Sequence, residues 1–131
     1  QNEFKLLVEK INNENVDFLE AEKELYGFTH GEIGSWLLER WNFPAQLIEA
    51  VLGHHKPQIS KINPVLTTLN YYTEYLNYNS DYIKYNFEKE LHFSFDYLNT
   101  IQIKDLNALN SIIEKNKITI QNEIDKTKYF V

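Results

Sequence analysis

Residues 29–57 admit few ways of folding. Thr29 stands three residues before Glu32, the spacing at which a hydroxyl and a carboxylate reciprocally satisfy the first free N–H groups of a helix. Asn42-Phe43-Pro44 must end that helix, because the residue before a proline is pushed out of helical geometry. Pro44 is tolerated only in a first turn, so a second helix starts there, and Pro57 closes it. Ile33, Leu37, Leu38 and Trp41 on the first helix, and Leu47, Ile48, Val51 and Leu52 on the second, recur at core-facing spacing. The second helix delivers His54 and His55 at its C-terminal end, where partial negative charge favours a protonated or donating imidazole.

The flanking sequence extends this pattern. Phe4, Leu7, Val8 and Ile11 form a helical stripe; Asp17 can cap a second helix that Gly27 ends. Beyond Pro57, Ile62, Val65, Leu69, Tyr72 and Leu76 predict a core-facing stripe, with Tyr71, Tyr75 and Tyr78 on another side of the same helix. Residues 80–100 are rich in aromatic side chains without a clear period, and are expected to form a short helix plus an ordered loop. Asp105 can cap a last helix carrying Leu106, Leu109, Ile112, Ile113, Ile120 and Ile124. The expectation is one all-α domain over 1–131, with about six helices and an irregular segment near 80–100.

Charge and composition narrow the function classes. The chain of 131 residues carries a net charge of −6, and Arg40 is its only arginine, which argues against a dedicated nucleic-acid surface. Without cysteine there is neither a disulfide framework nor thiolate chemistry. No apolar run approaches ~18 residues, so a soluble, cytoplasmic protein is expected. Methionine is absent, which suggests a sequence that begins within a longer protein or after processing. Trp36 and Trp41 lie five apart, about 140° around a helix, and cannot share a face. Trp41 is assigned to the core beside Phe43 and Pro44, and Trp36 to an interaction surface. Tyr71, Tyr75 and Tyr78 are a second candidate docking surface. Stacking of bases there is disfavoured by the neighbouring Glu74 and Asp81.

Glu22, Gly27, His30, Gly34, Trp41, Pro44 and the run His54-His55-Lys56-Pro57 together resemble the HDOD domain, the HD-related output domain of bacterial signalling proteins. The resemblance spans roughly residues 20–115 and corresponds to the family's C-terminal half. It implies an HD-like helical bundle, an offshoot of the metal-dependent HD and HD-GYP phosphohydrolases. Those relatives gather histidines and carboxylates around metal ions. This chain has no His-Asp doublet, has Lys56 where HD-GYP proteins carry Glu, and has Asn70 where the final acidic ligand is expected. A neutral amide is a poor substitute for a carboxylate on a hard cation. The resemblance therefore implies a non-catalytic regulatory module with no metal and no cofactor. His30, Gly34, Trp41, Pro44, His54, His55, Pro57 and Asn70 would line a relic pocket, and the partners would be other signalling proteins or companion domains. Two alternatives stand beside it: a metal-dependent HD-type phosphohydrolase acting on cyclic dinucleotides or nucleotides and completed by further N-terminal residues, and a small-molecule or nucleotide sensor using the relic pocket. A fragment with an uncovered apolar face is also expected to dimerise.

Overall fold

The computed structural model describes residues 2–78 and 94–127. Regular structure among them is entirely helical: α1 (Asn2–Glu14), α2 (Phe18–Tyr26), α3 (His30–Arg40), α4 (Ala45–Leu52), α5 (Pro64–Tyr78) and α6 (Leu106–Thr127). Single 3-10 turns occupy Pro57–Ile59 and Leu98–Ile101. The fold is all-α, as the spacing predicts.

Each boundary has a local cause. The Glu20 N–H donates to the Asp17 carboxylate at 2.8 Å and starts α2. Gly27 ends it at φ +81°, a left-handed conformation that costs glycine little, and its N–H donates to the Lys23 carbonyl. Thr29 and Glu32 form both halves of a capping box on α3. Asn42 turns the chain after α3 with φ +56°, which asparagine tolerates better than most residues. The Leu66 N–H donates to the Asn63 side chain at 3.0 Å, and Pro64 opens α5 where a missing N–H costs nothing. The Ala108 N–H donates to Asp105 at 2.9 Å at the start of α6.

The chain divides into two compact units, residues 1–94 and 95–131. In the first, α1 packs on α2 through Leu7, Ile11 and Ala21, with Val16, Phe18 and Tyr26 around them. Lys10 ties the pair by reaching Glu14 at 2.6 Å and Glu24 at 2.8 Å. Helix α3 then packs on α4, and α4 on α5. In the second unit, Leu98 and Leu109 are buried.

Faces on three helices differ from expectation. Ile33, Leu37 and Trp41 are exposed, Trp41 by 63%. The face of α3 turned to α4 is instead the small-residue one. Gly31 and Ser35 are buried, and a Cβ on Gly34 would meet Val51 Cγ1 at 2.8 Å. Close approach of two helices needs small side chains at the crossing, so the bulky residues occupy the opposite side. On α4, Leu47 and Leu52 are exposed and Ala50 is buried. On α5, Ile62 (just before it), Val65 and Leu69 are exposed, whereas Thr67, Thr68, Tyr71 and Tyr72 are buried. Thr67 lies where a Cβ on Gly53 would meet its methyl at 2.9 Å. The Tyr71 and Tyr72 hydroxyls bond the Ser94 backbone, at 2.7 and 3.1 Å. Tyr71 is therefore part of the core. Most of the aromatic segment of 80–100, and the side chains of Tyr78, Ile120 and Ile124, lie outside the described residues.

Candidate functional site

Two elements bring three histidines to one point. His30 is the first residue of α3, and His54 and His55 follow the end of α4. The packing of α3 on α4 joins them: a Cβ on Gly31 would meet the Val51 carbonyl at 3.3 Å and His54 Cε1 at 3.4 Å. The His30 Nε2 atom lies 3.0 Å from His54 Nε2 and 2.9 Å from His55 Nε2. The ring centroids are 4.1–5.0 Å apart. All three rings are partly shielded; the His30 side chain is 39% exposed and that of His55 21%.

The opposite edge of each ring faces an acceptor. His30 Nδ1 donates to Glu22 Oε2 at 2.8 Å, and the His30 backbone N–H donates to the same oxygen at 3.0 Å. Glu22, on α2, is 7% exposed, and its carboxylate reaches the N-terminus of α3, where the helix dipole favours a negative charge and a free N–H needs an acceptor. His54 Nδ1 donates to the Val51 carbonyl, one of the unpaired acceptors at the end of α4. His55 Nδ1 lies 3.1 Å from Glu74 Oε2 on α5. Placing the proton on Nδ1 leaves the Nε2 lone pair of every ring directed at the common point. Phe18 presses edge-on against His30, at a centroid distance of 5.7 Å.

Electrostatics keep the two rings at the end of α4 neutral. Burial lowers His54, opposed in part by its bond to Val51. Burial, reinforced by His54, His30 and Lys56, pushes His55 down to about 3. The donating imidazole expected at the end of α4 is present, in its neutral form. Glu74 moves the other way: burial raises it to about 7, opposed by His30. Its buried Oε2 is close to His55 Nδ1 but has no aligned hydrogen-bond donor.

The other anticipated positions do different work. Asn70 Nδ2 donates to the Ala50 carbonyl at 3.2 Å and fastens α5 to α4. Gly34 allows the helix crossing, Pro44 precedes α4, and Pro57 is buried in the 3-10 turn. Trp41 caps α3 and is exposed, contrary to its assignment to the core: the crossing that buries α3 uses the opposite side. Trp36 is 54% exposed, edge-on to Phe28 at 6.1 Å. Two carboxylates escape spacing arguments. One is Glu74. The other is Glu49, which accepts from Ser60 Oγ at 2.6 Å and from the backbone N–H groups of Lys61, Ile62 and Asn63 at 2.6–3.0 Å. Burial pushes Glu49 up, but these donors outweigh it and hold the carboxyl at about 2.

Residues 1–57 match the HDOD domain family. The match takes in α1 as well as the resemblance expected from residue 20, and ends at Pro57, before Asn70 and Glu74. No curated protein and no solved structure matches the chain.

Proposed function

We propose that this chain, HDOD over residues 1–57, is a non-catalytic output module of cytoplasmic bacterial signalling, acting by protein–protein contact. The observation that carries this reading is the set of large apolar side chains left exposed on α3, on α4 and in the turn between them. Trp36, Leu37, Trp41, Phe43 and Leu47 are each 38–63% exposed there. Exposed tryptophan is costly on a surface with no partner and is enriched at the centres of interfaces. Companion domains of the same protein, or other signalling proteins, are the partners such a surface fits. Asn70 supports the absence of hydrolysis: its amide is engaged with the Ala50 carbonyl, and a carboxylate there would meet an acceptor. Among the described residues, no helix is long and apolar enough to cross a membrane.

Light scattering after size exclusion tests the reading. The isolated chain should self-associate through these side chains, and Trp36→Glu with Trp41→Glu should return it to a monomer. These are the only tryptophans, so their emission should shift to the blue on association. A wild-type chain that stays monomeric at high concentration, with emission unchanged, would count against it. Hydrolysis of a generic phosphodiester by the purified chain would overturn the non-catalytic part.

A further inference from the structure

We propose that His30, His54 and His55 form a mononuclear site for a borderline divalent transition metal, zinc being the best match, with Glu22 and Glu74 as outer carboxylates. This does not rest on the docking reading and departs from the metal-free module that the missing His-Asp doublet implies. Each Nδ1 faces an acceptor: Glu22, the Val51 carbonyl or Glu74. Each Nε2 therefore presents a lone pair to its neighbours, 2.9 and 3.0 Å away at the two short contacts. Lone pairs at that distance repel unless a proton or a metal ion lies between them, and with each Nδ1 turned to an acceptor a metal ion can take the place of that proton.

The spacing and the chemistry select the cation. One ligand atom from each histidine lies within 4.8 Å of the others. Two nitrogens on a tetrahedral zinc, each ~2.0–2.1 Å from the metal, sit roughly 3.3 Å apart, so the two observed contacts of 2.9 and 3.0 Å need to open by only a few tenths of an ångström to admit the ion. Neutral imidazoles suit zinc and its first-row neighbours, whereas magnesium and calcium demand oxygen. The His30 side chain is 39% exposed, so a fourth ligand would be drawn from water.

The second observation is a carboxylate on α5. Glu74 Oε2 is buried beside His55 with no aligned donor. A cation bound by the imidazoles makes the His55 N–H more acidic and draws that carboxylate into a hydrogen bond. Carboxylate–histidine–metal relays of this kind orient ligands in known metal sites. One divalent ion also balances two carboxylates, Glu22 and Glu74, flanking three imidazoles. The ion would join α2, α3, the turn after α4, and α5, and so clamp four elements at one point.

Zinc titration of the metal-free full chain by calorimetry, with cobalt(II) as a spectroscopic stand-in, tests the site. One equivalent of zinc should bind and raise the melting midpoint, as any ligand selective for the native state must. Cobalt should give visible bands of a four-coordinate ion, and magnesium should do neither. His55→Ala should lower zinc affinity by at least ~100-fold, and Glu74→Gln, which keeps every ligand, by ~10–100-fold. Circular dichroism separates loss of the site from loss of the fold. Absent or substoichiometric binding in the wild-type chain, or affinity unchanged in both variants, would overturn the proposal.

Discussion

Glu49 on α4 and Glu74 on α5 are carboxylates one helix apart, and their surroundings treat them in opposite ways. Glu49 receives a serine hydroxyl and three successive backbone N–H groups, and is held at about 2. Glu74 is pushed to about 7, with one oxygen buried and no aligned donor. Partial burial acts on both; the number of donors decides the sign. A carboxylate whose acceptor capacity is filled by the backbone is finished as a structural part. A carboxylate left unfilled beside three imidazoles is where a cation belongs.

Removing the finished one should cost most. Glu49→Ala strips the acceptor from the N–H groups of Lys61, Ile62 and Asn63, which shape the turn leading into α5. It should lower the melting midpoint more than either Asn70→Asp or Glu74→Gln, and thermal denaturation at neutral pH reads it directly. The pH dependence sharpens the comparison. A depressed carboxyl contributes stability above its unfolded value near 4.5 and loses it as pH falls toward about 2. Wild-type stability should therefore drop through that window. Glu49→Gln, already weaker at neutral pH, should show a shallower acid limb. Parallel acid limbs would mean that the donors around Glu49 are replaced by water at little cost.

Asn70→Asp comes next. It sets a third carboxylate facing an acceptor, the Ala50 carbonyl, in place of an amide that donates to it at 3.2 Å. The loss of that bond and the opposed oxygens should cost about 1–3 kcal/mol, measured by urea denaturation. The variant should gain no phosphodiesterase activity. A stable variant that hydrolyses phosphodiesters would show that the position still belongs to a catalytic pocket.

What could be read from the sequence separates along physical lines. Helix ends were legible because caps are local: Asp17, Gly27, the Thr29–Glu32 box and Asp105 act within three or four residues. The histidine group was legible because family spacing places His30, His54 and His55 together, and the HDOD match includes all three. The roll of each helix was not. Apolar spacing turned Leu69 of α5 inward, along with Val65, but the buried face runs through Thr67 and Tyr71. Asn70 and Glu74 lie three and seven residues beyond Thr67, on that same side. Their roles were hidden for one reason: threonines packed against a helix end, at Gly53, carry no signal in a count of apolar residues. The same error put Trp41 inside, since glycines at a crossing say more about which face is buried than leucines do.

Glu74→Gln should have the smallest effect, and its sign is the most informative. In the metal-free chain at neutral to mildly alkaline pH, the substitution exchanges a part-buried charge with no aligned donor for a neutral amide of the same shape. Burial disfavours the charged form, so the melting midpoint should rise by a few degrees at most, opposite in direction to Glu49→Gln. Adding zinc should then reverse the ranking. The wild-type chain gains more from the ion than the variant, because only the carboxylate accepts strongly from the His55 N–H on the far side of the ring. Differential scanning fluorimetry with and without zinc gives both comparisons in one experiment. A drop in the metal-free midpoint as large as that of Glu49→Gln would make Glu74 a second bonded staple, and the contrast between the two acids would fall with it.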